Sequence, residues 1–174
     1  MNWTTLLEIE MNTAFSVTEN LMKMVDEDKL NWKPATGTNW LTTGQLLMHL
    51  TDACGAPVKG FVTGDWGFPE DVDPSQMSAE DMLPPAVKFS TVNSVGEAIA
   101  LLQDDRKLVL DMLAQCDEKR LETEIATAPW DPSEMILGHR ILTMVNHLNQ
   151  HKGQLFYYLK LQGKPVHTGH LWGM

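Results

Sequence analysis

Apolar residues recur at three- and four-residue spacing along four segments of the chain, which is the spacing of one face of an α-helix. The second and third segments open with the pairs Thr42 with Gln45 and Ser94 with Glu97. Such pairs predict reciprocal capping boxes, which satisfy backbone N–H groups at the start of a helix. The pattern predicts helices near residues 3–26, 42–62, 94–116 and 132–162.

The fourth predicted helix has the clearest boundaries. Asp131 is its predicted N-cap, Pro132 its first position, and Gly163 follows its end. Gly138 and Gly153 lie inside it, and each costs about 1 kcal/mol relative to alanine in a helix. These two glycines therefore indicate either a close contact between helices or a bend.

The second predicted helix contains two residues that weaken its far end. Gly55 and Pro57 follow the apolar run, and both interrupt regular helical hydrogen bonding. The helix is therefore expected either to stop near Cys54 or to kink and continue toward Phe61.

Two connecting segments have weaker patterns. Residues 64–93 lack a sustained period, although 78–83 fits a short helix, and six acidic residues but no basic one lie between Asp65 and Asp81. This acidity favours a solvated loop face over a ligand site, while loops of such length also border pockets. Residues 117–130 have no helical apolar stripe and are predicted to be a connection.

Four helices without a convincing strand pattern predict an all-α fold. The arrangement that buries four amphipathic helices with short and medium connections is an antiparallel four-helix bundle. A length of 174 residues suits one hydrophobic core. We therefore expect a single domain over residues 1–174.

The acidic composition argues against nucleic acid as a partner. The formal net charge is −10 and the sequence pI is about 4.9, and no Lys/Arg cluster offsets this charge locally, so nucleic acid is not an expected partner.

No apolar stretch is long enough to cross a bilayer and no signal peptide is recognisable, so a cytoplasmic location is expected. Cys54 and Cys116 lie in helical patterns and are predicted to be reduced core residues.

Three histidines in two of the predicted helices form a candidate metal site. His147 and His151 are four residues apart, which places both imidazoles on one helix face with Cβ atoms about 6 Å apart. His49 lies within the apolar run of the second helix, where a neutral imidazole needs partners for its nitrogens. An H-x-x-x-H pair alone also arises by chance, but a shared divalent ion would satisfy all three residues and leave coordination positions open, as in catalytic sites.

Four further polar residues lie on the same helices or in the C-terminal tail. Asp52 lies one turn beyond His49, where it would orient a ligand imidazole, act as a base or simply be exposed. His139 lies about 12 Å along the helix from His147, and it is predicted to be a packing or surface residue. His167 and His170 are in the C-terminal tail, where exposure is the expected outcome.

Several chemical signatures do not occur in the sequence. There is no H-E-x-x-H, no E-x-x-H di-iron pair, no cysteine-rich zinc pattern, no P-loop and no G-x-G-x-x-G. Their absence argues against zincins, ferritin-like proteins and the usual nucleotide enzymes.

The segments WLTTGQLLMHL around His49 and MVNHLNQHKGQLFYYLKLQGKPV around His147 and His151 resemble the two signature segments of the DinB/YfiT-like superfamily. The resemblance implies a four-helix bundle with a metal site at these three histidines, usually holding zinc or nickel, and frequently a dimer. Relatives include S-transferases that use bacillithiol, mycothiol or similar low-molecular-weight thiols, and a thiol-dependent maleylpyruvate isomerase. In such enzymes the metal would lower the pKa of the thiol.

Three functions are compatible with these observations. The favoured hypothesis is a metal-dependent thiol S-transferase acting on small electrophiles. A metal-dependent hydrolase, with Asp52 or a tail residue moving protons, and a non-catalytic, stress-associated binding protein with a structural metal remain alternatives. The resemblance, together with eleven methionines and six tryptophans, also leads us to expect a homodimer formed by helix faces.

Overall fold

The computed structural model describes residues 2–69, 72, 77, 82 and 84–174. The described part of the chain is mostly helical and includes one small antiparallel sheet. The helices are α1 Trp3–Met22, α2 Thr43–Leu50, α3 Gly55–Thr63, α4 Val95–Leu113, α5 Glu118–Thr123, α6 Leu137–Leu161 and α7 Thr168–Trp172. Short 3₁₀ helices lie at Glu27–Lys29 and Ala86–Lys88, and the strands are β1 Ile125–Ala128 and β2 Asp131–Ile136.

The long helices surround one hydrophobic core. Helix α1 packs against α4 and α6, while α2 and α3 pack against the other sides of α4 and α6. Each contributes fully buried apolar side chains, such as Leu7 from α1, Leu46 from α2, Val58 from α3, Leu102 from α4 and Ile141 from α6. Burying these side chains provides the main stabilisation of the fold.

The predicted second helix is divided into α2 and α3, so the kinked alternative is the one that the chain adopts. Helix α2 begins with the predicted capping box: Thr42 accepts from the Gln45 N–H, and the Gln45 side chain accepts from the Thr42 N–H. Helix α3 begins at Gly55 without a side-chain cap from Cys54. Instead the Gly55 N–H donates to Asp105 Oδ2 of α4 at 2.9 Å, so a carboxylate from a neighbouring helix caps α3.

Only half of the predicted capping box forms at the start of α4. Ser94 Oγ accepts from the Glu97 N–H at 3.0 Å, as predicted. The Glu97 carboxylate accepts from the Asn93 N–H, and the Glu27 carboxylate accepts from the Val95 N–H. The N-terminal donors are therefore satisfied by a wider set of side chains than the local sequence indicates.

The all-α prediction is wrong for residues 125–136, where β1 and β2 pair in an antiparallel hairpin. Asp131 and Pro132 belong to β2, and α6 begins at Leu137. Residues 117–130, predicted to be a connection, contain α5 and β1. A tertiary contact stabilises the hairpin in place of the predicted helix start. The buried Arg140 donates to Ala126 O at 3.1 Å and to Asp131 Oδ2 at 2.8 Å.

Both cysteines belong to the hydrophobic core. Cys54 and Cys116 are free and buried, as predicted. The short helix predicted at 78–83 lies, apart from Met82, outside the described residues. Among the helices that are described, none has the length and apolar character needed to cross a membrane.

Candidate metal centre

Three histidine side chains from two helices meet at one point. His49 lies in the last turn of α2, and His147 and His151 lie one turn apart on α6. The distance from His151 Nε2 is 3.0 Å to His49 Nε2 and 2.9 Å to His147 Nε2. All three ligand atoms lie within 4.8 Å of one another, which is close enough to share an ion at metal–nitrogen distances of about 2.1 Å.

The break between α2 and α3 helps to build this cluster. It places the Ala53 carbonyl beside α6, where His147 Nδ1 lies 3.0 Å from Ala53 O. On α6 itself, His151 Nδ1 lies 2.8 Å from Gln154 Oε1. Both oxygens are acceptors, so each of these Nδ1 atoms carries the proton, and each Nε2 presents a lone pair toward the cluster.

This choice of tautomer leaves no proton for the contact between His147 Nε2 and His151 Nε2. Two lone pairs at 2.9 Å repel each other unless a cation lies between them. Protonation of the cluster is unfavourable, because burial and the neighbouring imidazoles lower the pKa of His49 to about 4 and burial also lowers the pKa of His151. A set of neutral imidazole donors with inward lone pairs fits a divalent metal ion.

The histidine cluster opens onto a pocket of about 660 Å³. The Phe89 ring meets the His49 ring edge to face, with centroids 5.3 Å apart. Trp130 and Met144 add apolar surface to the wall of the pocket. The volume lies within the range of small-molecule sites, so a ligand of that size has room beside the imidazoles.

Asp52 lies at this pocket but is not part of the cluster. Its Oδ1 is 3.6 Å from His49 Nδ1, which is too long for a direct hydrogen bond. Its side chain is 63% exposed, and desolvation by the surrounding protein raises its pKa to about 6. Asp52 is therefore ionised at neutral pH and available to a ligand in the pocket.

The other histidines lie outside the cluster. His139 is exposed on α6, as predicted for a surface residue. His167 and His170 pair with each other at α7, with ring centroids 4.1 Å apart, and the His167 N–H donates to His170 Nδ1 at 3.2 Å. The tail therefore does not bring either histidine into the three-histidine group.

Some residues that shape the site were not singled out from the sequence. Gln154 is three residues after His151, and that helical spacing was a usable signal for a partner of the imidazole. Ala53 contributes only a backbone carbonyl, which no side-chain pattern can reveal. Trp130 reaches the pocket because it lies in the turn of the hairpin, an element that the periodicity did not predict.

A mostly helical chain with three converging histidines at a pocket belongs to the class of proteins that can hold a single metal ion at a helix interface. A family model described as the DinB superfamily matches residues 10–155. The chain belongs to the DinB superfamily, a metal-associated family, and the matched range contains all three histidines. Searches of curated proteins and of solved structures gave no match.

Proposed function

We propose that this protein is a metal-dependent enzyme in which His49, His147 and His151 bind one divalent ion, zinc or nickel, for the transfer of a small thiol to an electrophile. The observation that carries the proposal is the convergence of three Nε2 atoms beside an open pocket. Three nitrogen ligands with room for a further ligand are typical of catalytic rather than structural sites.

The protein's own groups prepare this chemistry in three ways. The Ala53 carbonyl and the Gln154 amide hold the tautomers of His147 and His151, so both lone pairs face inward. Phe89 and Trp130 supply apolar surface for the body of the electrophile. Asp52 accepts the proton of the entering thiol and releases it to solvent. A bound divalent ion would lower the pKa of that thiol and favour the thiolate at neutral pH.

A metal-dependent hydrolase is the second candidate. The observation that favours it is Asp52, a partly exposed carboxylate at the same pocket with a pKa raised to about 6, which suits a general base acting on water. The same three histidines would hold the ion in either reaction.

We also infer a finer description of the fold. Helices α1, α2 with α3, α4 and α6 are the four members of an antiparallel bundle, and the chain forms one domain. The mutual packing of these helices around a common core supports this inference.

The test begins with protein purified without nickel resin, followed by metal analysis and cobalt substitution. We expect about one ion per chain, and a small thiol such as bacillithiol should produce a cobalt–thiolate absorption band. A loaded protein that responds to no small thiol would favour the hydrolase.

The matched variants for this test are His151→Ala and His139→Ala, which remove one imidazole each from the same helix. His151→Ala should lose most metal affinity and retain the wild-type circular dichroism spectrum, because the core does not depend on this side chain. His139→Ala should bind metal as the wild type does. Unfolding of His151→Ala would instead indicate a structural metal.

A further inference from the structure

The formal charge on the described wall of the pocket beside the histidines is negative. Among the described residues that line it, Asp52 is the only one with a formally charged side chain at neutral pH, and none is Lys or Arg. Most of the remaining surface is apolar and comes from Pro57, Phe89, Trp130 and Met144. An anionic group on a ligand would therefore lack a cationic partner at this wall.

Cations near the pocket are engaged in other contacts. Arg140 is buried and its guanidinium binds the hairpin through Ala126 and Asp131. Lys59 Nζ forms an ion pair with Asp65 at 2.5 Å. Along the described wall of the pocket, the formal charge is therefore that of Asp52.

The aromatic part of the wall is held in place by other aromatic rings. Trp130 packs edge to face on Trp66, with centroids 5.4 Å apart, and Trp66 packs on Phe61 at 4.9 Å. A Cβ atom on Gly60 would lie 2.2 Å from Trp66, so the glycine leaves room for this arrangement. A fixed aromatic ring offers a face that attracts cations and apolar groups alike.

We infer that this pocket selects ligands that have an apolar body and that are, outside the atom bound to the metal, neutral or positively charged. The inference deepens the proposed function and rests on it for the identity of the site: polyanionic thiols are disfavoured, and thiols or acceptors with an ammonium group are favoured. The cation would lie between Asp52 and the aromatic wall.

Two ligands of the same shape and opposite permanent charge test this selection without any thiol chemistry. Benzyltrimethylammonium and phenylmethanesulfonate share an apolar ring, and calorimetric titration of the chelator-treated, metal-free protein gives a Kd for each without a bound cation that would attract the sulfonate. We expect the cation to bind at least about five-fold more tightly. Asp52→Asn should reduce the ratio of the two Kd values about five-fold.

Comparing ratios between variants removes intrinsic differences between the two ligands. Glu8→Gln is the matched control, because Glu8 is exposed on α1 and is not a lining residue; it should leave the ratio unchanged. Trp130→Ala should weaken the cation more than the sulfonate.

Equal or tighter binding of the sulfonate, a ratio unaffected by Asp52→Asn, or no binding of either ligand would each overturn the inference. The proposed function is judged separately by the cobalt–thiolate band. Charge selection can therefore fail while the band appears, and the band can be absent while charge selection holds.

Discussion

The three imidazoles of the candidate metal centre differ in how firmly their outer nitrogens are held. His147 faces a backbone carbonyl and His151 an amide oxygen, whereas among the described residues His49 Nδ1 has the Asp52 carboxylate at the longer distance of 3.6 Å. Partners of this kind set the tautomer and orientation of metal ligands. The orientations of His147 and His151 are therefore fixed by hydrogen bonds, whereas the His49 ring is positioned by packing on Phe89.

At the same scale, Asp105 links the stability of the chain to pH. It is buried, and desolvation raises its pKa from 3.8 to about 7, an effect that its hydrogen bond from Gly55 opposes and that the nearby Asp52 charge strengthens. The folded chain therefore holds this proton more tightly than the unfolded chain. The contribution of protonated Asp105 to the free energy of unfolding is fully present below about pH 4. It is lost as the pH rises toward 7, and the free energy of unfolding falls by up to about 4 kcal/mol.

We predict that Asp105→Asn removes this part of the pH dependence, because an amide oxygen can still accept from Gly55 but does not ionise. Urea unfolding at pH 5 and pH 8 should show a smaller loss of stability for the variant than for the wild type. Asp111→Asn, at an exposed carboxylate of the same helix, should keep the wild-type slope. Parallel slopes for wild type and Asp105→Asn would contradict the assignment.

At the scale of the elements, Arg140 is the residue that holds the hairpin to α6. Its guanidinium donates to Ala126 O, Asp131 Oδ2, Ser133 Oγ and the Ser133 carbonyl. We predict that Arg140→Met destabilises the fold by about 2–3 kcal/mol, since the buried Ala126 carbonyl loses its donor and the hairpin loses its bonds to Asp131 and Ser133. Urea unfolding of the wild type and the variant measures this loss.

The control for Arg140→Met is Lys107→Met. Lys107 is an exposed cation on α4 that pairs with Asp111, and such surface pairs contribute less than about 1 kcal/mol. If both variants lost the same small amount of stability, the hairpin would not depend on Arg140.

Two glycines of α6 should respond to alanine in opposite directions. A Cβ on Gly138 would lie 2.7 Å from Trp3 and 3.0 Å from Leu121 O, whereas a Cβ on Gly153 would meet no atom within 4 Å. We therefore predict that Gly138→Ala destabilises the protein, while Gly153→Ala stabilises it by up to about 1 kcal/mol through helix propensity. Thermal unfolding of both variants tests the pair, and a lower Tm for Gly153→Ala would be inconsistent with open space there.

The histidine-bearing helices could be predicted from the sequence, whereas the hairpin could not. The spacing of His147 and His151 placed both on one face of α6 because helical geometry is local. The convergence of His49 was a hypothesis that the packing of α2 on α6 bears out. The hairpin was missed because Asp131 and Pro132 form a good local helix start, and only the contact with Arg140, nine residues away from Asp131, overrides that preference.

At the scale of the whole molecule, charge and apolar surface favour different outcomes for self-association. A formal net charge of −10 makes copies of the chain repel one another at long range. Tyr157 and Leu161 nevertheless lie one turn apart on α6 with 63% and 64% of their surface exposed. Adjacent exposed apolar side chains of this size on one helix face are typical of a contact surface.

We predict a homodimer in which this face of α6 is buried against a second copy. Light scattering at tens of micromolar should give twice the chain mass of 19.6 kDa. Leu161→Glu should shift the population toward monomer, because it places a carboxylate in an apolar contact between acidic chains. Val87→Glu is the control, since Val87 is 86% exposed and lies on the separate 3₁₀ helix Ala86–Lys88. A monomeric wild type at that concentration would refute the prediction, and an unchanged dimer in Leu161→Glu would place the interface on another surface.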